Sequence, residues 1–401
     1  MSAAAGPISS VLCINAGSSS LKAATFAVGQ GSRARQVASV LVEGVARETG
    51  RWTVRDSSGA ITDQGADAVR DQAHALHLTM DALAAAGHGA PDAVGHRVVH
   101  AGAALVDHTV LDEGVLAQLR AAVPFAPLHL PAEIEAIEVI TARTPSTPQV
   151  VCLDTAFHRT LPLVARRLPL PAWVDAEGIH RYGFHGLSYE YIVEHVGAAV
   201  LGRAIVAHLG SGASLAAIRD GRSIDTTMGF TPAGGVVMAT RTGDLDPGTL
   251  VYLAREHGLD AEALEELVNR QSGLLGLSGR SADMVELLRL EPTDADAALA
   301  IEAFCVSVAK SIAALSTVLG GIDTIVFTGG VGEHATEIRA RVADRVAHLG
   351  VTLDPDRNEA HAAVITTDDS AVVVRVVATD ENLVIARTTA RLLGSGTTET
   401  R

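Results

Sequence analysis

Apolar residues follow two rhythms along this chain. Short apolar runs stop at glycine and polar clusters, which predicts strands joined by tight turns. Val11–Leu12–Cys13–Ile14 is such a run, followed by the turn Asn15-Ala-Gly-Ser-Ser-Ser20 and a second run over 21–26. The same order returns at 204–218, where Ala207–His208–Leu209–Gly210–Ser211–Gly212–Ala213–Ser214 separates two apolar stretches. Glycines let backbone N–H groups approach an anion closely, and serines add hydroxyl donors. Either turn alone reads equally as an ordinary hairpin. Two of them, one in each half, predict a duplicated fold with phosphate held between the halves.

Residues 8–62 read as several short strands broken at 29–32 and 56–59. A helix is predicted over 70–86, with Leu76, Met80 and Leu83 at helical spacing and Gly87 as its stop. A buried strand over 93–99 and a helix over 113–122 follow. Pro124, Pro127 and Pro131 predict an extended loop that fixes His129, and Pro131 opens a helix with Ile134, Ile137 and Ile140 on one face. Residues 144–148 read as a linker before the buried strand 150–153. The second half predicts helices over 189–200, 249–257 and 261–270, and a strand over 325–327. A long packed helix is predicted over about 294–319. A strand over 372–377 and a closing helix over 383–393 complete the reading.

At 401 residues the chain exceeds one ordinary core, so two domains are expected. It is 48% hydrophobic, with no uninterrupted apolar run long enough to span a bilayer, and no secretory signal is visible at the N-terminus. A globular cytoplasmic protein is the expectation. Cys13, Cys152 and Cys305 sit in apolar runs without zinc spacing, and read as small buried side chains. The net charge of -15 argues against nucleic acid and anionic membrane as partners. It leaves room for a small anionic ligand at a local positive site. The two lysines, Lys22 and Lys310, do not sit in a Walker A loop, so arginine would supply charge to phosphate.

Polar residues inside apolar strands mark the candidate chemistry. Arg97 lies between His96 and His100 in a buried strand and needs an anion that its own stretch does not supply. A satisfied core network is the competing reading. Asp154 ends the strand 150–153, a common position for metal or nucleophile chemistry, with a helix N-cap as the alternative. His185 stands between Gly183 and Gly186 on a tight turn. The loop 238–248 is dense in Arg, Asp and Gly without periodicity, and reads as a site, since ordering such a loop is costly. Gly329–Gly330–Val331–Gly332 follows a strand and opens a helix containing His334, a geometry that suits nucleotide phosphate or ribose. Gly330-x-Gly332-x-x-Ala335 also fits a dinucleotide fingerprint, so a nicotinamide or flavin oxidoreductase stands as an alternative class.

Seven ordered motifs carry a resemblance across nearly the whole chain. They are Asn15-Ala-Gly-Ser-Ser-Ser-Leu-Lys22, Gly95-His-Arg-Val-Val-His100, Ala126-Pro-Leu-His129 and Asp154-Thr-Ala-Phe-His158 in the first part. Arg181-Tyr-Gly-Phe-His-Gly186, His208-Leu-Gly210 and Thr240-Arg-x-Gly-Asp-Leu-Asp-Pro247 complete them. Together they resemble the acetate kinases, within the acetate and sugar kinase/Hsp70/actin superfamily. The resemblance implies an α/β fold of two duplicated actin-like (ribonuclease H-like) domains with an interdomain cleft. Residues 1–153 would form the first, completed by a C-terminal helix at 387–401. Residues 154–386 would form the second, nucleotide-binding one.

The implied reaction is reversible transfer of a phosphoryl group from ATP to acetate, giving acetyl phosphate and ADP, with Mg²⁺ or alternatively Mn²⁺. A homodimer is implied as well. Matched motif by motif, Arg97, Asp154, His185 and Arg241 resemble the transfer set. Asp154 and Glu381 would organise the metal, with Asn15 at the metal–phosphate end. Val99, Leu128, Phe184 and Pro232 resemble the apolar pocket for the acyl methyl. His129 and His208 would line the phosphate channel. Leu209, Gly210, Ser211, Gly212, Asp283, Gly329, Gly330, Val331, Gly332 and His334 would meet the nucleotide, and Asp246 has no assigned role.

This chain departs from the family pattern mostly on that nucleotide side. Ser211 and His334 each replace an asparagine, and Val285 stands where an arginine is usual. Asn382 stands where a glutamate is usual; away from the nucleotide, Leu130 replaces an asparagine and Ala101 a glycine. The transfer chemistry is therefore expected to survive with an altered phosphoryl donor preference or affinity. Loss of a charge-assisted hydrogen bond costs roughly 1.5–3 kcal/mol, so Val285 alone would weaken nucleotide binding about tenfold or more. Propionate or another short acid as acceptor, and a non-catalytic nucleotide binder, are the alternatives within this reading.

Overall fold

The computed structural model describes residues 8–17, 19–29 and 33–394. Ser18 of the first glycine turn, residues 30–32, the first seven residues and 395–401 of the expected C-terminal helix lie outside them. The chain divides into two compact units. Unit 1 comprises residues up to Ala156 together with those from Asp380 onward, and unit 2 spans Phe157–Thr379. The sequence reading placed these breaks at 153/154 and 386/387. The second break lies earlier because the helix Glu381–Gly394 packs on the unit 1 sheet from its first turn, burying Val384, Ile385 and Ala386.

Unit 1 holds an eight-stranded sheet. Its strands are β1 (Ser10–Ala16), β2 (Ser20–Val28), β3 (Ala34–Glu43), β4 (Arg47–Asp56), β5 (Ile61–Val69), β6 (Ala93–Val98), β7 (Thr109–Val110) and β8 (Gln149–Leu153). Unit 2 holds five: β9 (Ala204–Leu209), β10 (Ala213–Arg219), β11 (Arg222–Thr226), β12 (Thr324–Thr328) and β13 (Val373–Val376). The spatial order is β5-β4-β3-β2-β1-β6-β8-β7 in the first and β11-β10-β9-β12-β13 in the second.

Within the larger sheet, β3-β2-β1-β6-β8 repeats the order of the smaller one. In each, three strands run as an antiparallel meander, and a fourth pairs parallel with the first of them. A fifth then pairs parallel with the fourth. This is the duplicated, ribonuclease H-like α/β arrangement. The physical reason lies in connection length. Tight turns join antiparallel neighbours, whereas a parallel neighbour needs a crossover helix. Helix Leu130–Arg143 supplies one between β6 and β8, and helix Ala295–Leu319 precedes β12. The strands β8 and β12 are buried at every position, as parallel strands covered on both faces must be.

Helix Ala295–Leu319 is long and apolar enough to cross a membrane by length and composition. It is nevertheless packed inside unit 2 against β10 and three neighbouring helices, burying Ile301, Phe304, Val308 and Ile312. Asp296, Glu302 and Lys310 interrupt its apolar run. Cys13, Cys152 and Cys305 are buried free thiols.

The proline segment differs from expectation. Val123–Phe125 forms a 3₁₀ turn and further turns lead to His129, where an extended loop was expected. A proline φ near −65° suits a 3₁₀ turn as well as an extended strand, and Phe125 N–H donates to the Ala122 carbonyl at 2.9 Å.

Candidate active site

Unit 1 answers the charge demand of Arg97. The residue lies one position before the end of β6, where β1 pairs on one side and β8 on the other. That order brings Asn15, near the end of β1, and Asp154, just past β8, to the same guanidinium. Arg97 Nε donates to Asp154 Oδ1 at 3.1 Å, and Nη2 makes a short contact with Asp154 Oδ2. Nη1 donates to Asn15 Oδ1 at 3.1 Å. Glu381, from the returning helix, sets Oε2 3.8 Å from Arg97 Nε. Asp154 is 1% exposed, and its carboxylate serves this arginine in a bidentate pair.

Burial alone would lower the pKa of Arg97. The Asp154 and Glu381 carboxylates outweigh that and hold it above its ordinary value. Burial pushes the Glu381 carboxyl up despite Arg97. Asp154, Glu381 and the Asn15 amide oxygen are hard oxygen donors of the kind Mg²⁺ accepts alongside water and substrate phosphate. Among the described residues no group of three His, Cys, Asp or Glu side chains would hold a metal by itself. The donor set thus fits an ion shared with a substrate phosphate, not a closed protein cage.

Glu133, which sequence reasoning missed, completes this corner. Its carboxylate is 2% exposed and accepts the Val99 N–H at 3.2 and 3.1 Å. Burial raises its pKa to about 8, against the pull of Arg97. The available signal was a charged residue at the edge of the apolar stripe Ile134, Ile137 and Ile140. Val99 is buried and Leu128 half-buried in this unit, while His129 precedes helix Leu130–Arg143.

Unit 2 builds its site around the β9–β10 turn. Leu209 and Ala213 pair across Gly210–Ser211–Gly212, and Gly210 N–H donates to the Gly212 carbonyl at 3.0 Å. His185 occupies the N-cap of helix Gly186–Val196 with φ +58°, a left-handed conformation uncommon for a non-glycine residue. Its Nδ1 bonds Ser214 Oγ at 2.8 Å, and Tyr189 OH bonds the same hydroxyl. Its ring stacks on His208 with centroids 4.3 Å apart, and His208 Nδ1 bonds Ser188 Oγ at 2.9 Å. The polar Ser214 in an apolar strand was the legible sign of this network. His158 Nε2 holds the Phe184 carbonyl at 3.0 Å, and Phe184 is itself fully buried.

A methyl placed on Gly212 would lie 3.3 Å from both His185 Nε2 and Arg241 Nη1. Two side-chain nitrogens thus converge on one small space above a glycine backbone. Arg241 is braced by the Pro232 carbonyl at 3.2 Å. Its loop is fastened to the turn through Ala239 N–H and the Ser211 carbonyl at 3.2 Å. Asp246 caps helix Pro247–His257 by accepting Gly248 N–H at 2.9 Å, a structural task.

Beside the turn lies a cavity of about 490 Å³. Gly210, Ser211, Asp283, Gly330, Val331 and His334 line it, with Met284, Val285, Leu288 and Phe304 as apolar walls. Leu209, Gly212, Gly329, Gly332 and His208 do not line it. Gly329 is structural on two counts. Its φ is +76°, and a Cβ there would lie 2.8 Å from the Leu209 carbonyl oxygen. Its N–H donates to Glu333 Oε1 at 2.9 Å. Gly330, by contrast, is open on its Cα face. Asp283 also caps helix Met284–Leu290. The expected acyl-pocket residues divide between the units, Val99 and Leu128 in the first, Phe184 and Pro232 in the second.

Comparisons with known proteins give this arrangement a context. A family model described as the Acetokinase family matches residues 10–387. An acetate kinase of Nitrobacter hamburgensis is 43% identical over 399 residues, covering 96% of each chain. One from Rhodopseudomonas palustris is 49% identical over 311 residues, covering 76% of this chain and 78% of that one. Among solved structures, a propionate kinase from Francisella tularensis matches with a TM-score of 0.89 at 34% identity, covering 96% of this chain and 100% of that one. The Porphyromonas gingivalis acetate kinase matches with a TM-score of 0.85 at 33% identity, with the same coverage. The oxidoreductase alternative for Gly330-x-Gly332 falls with these matches. Its glycines follow β12, the fourth strand of a sheet led by an antiparallel meander, and not the first strand of the fold. From residue 10 to residue 387, this chain belongs to the acetokinase family.

Proposed function

We propose that the chain catalyses reversible phosphoryl transfer between ATP and acetate, forming acetyl phosphate and ADP. The observation that carries this reading is the convergence of His185 Nε2 and Arg241 Nη1 above Gly212, in a unit whose neighbouring cavity suits a nucleotide. An acetate carboxylate is already ionised at pH 7, so its oxygen attacks the γ-phosphorus without a general base. The new O–P bond forms as the β,γ-bridging P–O bond breaks, and ADP leaves with that electron pair. Little covalent work falls to the protein. Positioning and charge stabilisation dominate.

His185 and Arg241 donate to the oxygens of the group in transfer. Ser214 fixes the His185 ring, so donation costs no reorientation. Arg97 orients the acid, and Asp154 holds the guanidinium in plane. Glu381, Asp154 and Asn15 would hold Mg²⁺, which supplies charge neutralisation at the phosphate oxygens when bound. Val99 and Leu128 in unit 1, and Phe184 and Pro232 in unit 2, are the apolar side chains that the family resemblance implies for the acyl methyl. Gly210, Ser211, Gly330 and Asp283 receive the nucleotide, and Val285, 77% exposed on the cavity wall, leaves that end without an arginine. This supports a weaker or altered donor preference. Propionate is a second acceptor, since one methylene in an apolar pocket changes binding by only ~1–3 kcal/mol. The reading also carries a cytoplasmic homodimer. Helices Pro247–His257 and Ala261–Arg270 bury no residue fully, with Val251 and Tyr252 exposed.

Trapping acyl phosphate as the hydroxamate tests the reading. ATP, GTP and pyrophosphate are each paired with acetate, propionate and butyrate in the presence of Mg²⁺. ATP with acetate should give the hydroxamate, and no product from any pair would overturn the proposal. Arg241→Ala should lower kcat by about 10²–10³ with unchanged unfolding behaviour. Near wild-type turnover in that variant would remove Arg241 from the chemistry.

A further inference from the structure

Glu333 lies in the short helix Gly329–His334, yet its side chain serves three donors outside the helical ladder. Oε1 accepts the Gly329 N–H at 2.9 Å, the Thr379 N–H at 3.2 Å and the Thr328 hydroxyl at 3.4 Å. Thr328 ends β12, Gly329 begins the turn that leads to the cavity, and Thr379 follows the exit of β13. The side chain is 15% exposed. Helix starts leave N–H groups without partners, and a carboxylate reaching back from within the helix satisfies one of them. Here the same oxygen also gathers the backbone of the neighbouring strand exit. The two parallel strands are thereby fastened at the end where Gly330 and Val331 line the cavity.

The geometry has a consequence for the turn itself. Gly329 N–H is spent on Glu333, so a phosphate at this turn would meet the amides beyond it. The placing of those amides depends on how Gly329 is held. Gly329 packs against the Leu209 backbone with φ +76°, so a change in how it is held is passed on to Gly330. We propose that Glu333 is a positioning residue for nucleotide binding, whose carboxylate fixes the Gly329–Gly330 turn against Thr379 in the register the nucleotide needs. The proposal rests on the nucleotide reading of the cavity.

The test compares Glu333→Ala, Glu333→Gln and Glu333→Asp with wild type by calorimetric ADP binding, by the KM for ATP and for acetate, and by Tm. The alanine variant should raise the ADP Kd and the KM for ATP about tenfold, the loss of a charge-assisted hydrogen bond. The KM for acetate should stay within about twofold, a change of under half a kcal/mol by the affinity relation. Glutamine keeps a carbonyl acceptor and should restore most of the nucleotide affinity. Aspartate is one methylene shorter and should not, and it carries the test if the alanine variant fails to fold. A lowered Tm with unchanged ADP Kd and KM for ATP would make Glu333 purely structural and overturn the proposal. Wild-type protein that binds no ADP would overturn the nucleotide reading and this proposal with it.

Discussion

Arg97 shows what one buried charge demands of a fold. A guanidinium in an apolar strand is stable only if acceptors arrive from elsewhere, and here they come from Asn15, Asp154 and Glu381. The demand was legible in the sequence. The resemblance named Asn15, Asp154 and Glu381 for the metal, but their pairing with Arg97 was not legible, because they lie far from it in the chain. Glu133, in the same corner, carries a pH prediction. The folded protein keeps its proton up to about pH 8, whereas an ordinary glutamate loses it near 4.5. Between those values the folded state binds more protons than the unfolded one, so stability falls as pH rises. Glu133→Gln removes this titration. Wild type should lose stability relative to the variant from pH 5 to pH 8, by on the order of a few kcal/mol. Urea unfolding of both proteins across that range checks it, and parallel curves would contradict it.

At the scale of elements, the two glycine turns do different work from one another. The β9–β10 turn sits under His185 and Arg241, and the donors approach because Gly212 carries no side chain. Gly212 needs no left-handed backbone, so alanine there puts its strain on the two side chains that it meets at 3.3 Å and not on the backbone. Gly212→Ala should therefore fold with a Tm near wild type yet lose activity by tenfold or more, since its methyl enters the space shared by His185 Nε2 and Arg241 Nη1. Steady-state kinetics alongside thermal unfolding checks this, and full activity would place the reacting group elsewhere. The β12 turn behaves in the opposite way. At Gly329 an added methyl meets the Leu209 backbone, so substitution there strains the fold first. The motif residues of this turn were legible, but their division of labour was not. Gly329 is backbone packing, Gly330 faces the cavity, and Glu333 is the fastener.

For the whole molecule, the division into two units has a measurable consequence. If the nucleotide is held by unit 2, ADP should slow amide exchange around 210–212 and 330–335, and leave β4 and β5 of unit 1 unchanged. Equal protection of β4 and β5 would argue against that assignment. The sequence by itself determined most of the longer strands and helices, the two echoing turns and the polar residues out of place in apolar runs. Those features depend on local periodicity and on the conformational limits of glycine and proline, which act within a few residues. The tertiary structure alone decided the strand order, and with it the meeting of Arg97 with Asp154 and of His185 with Ser214. It also decided where the proline segment turns and where the C-terminal helix joins the first sheet. Contacts of that kind depend on which distant strands pair and which helix covers them, and no local pattern encodes that choice.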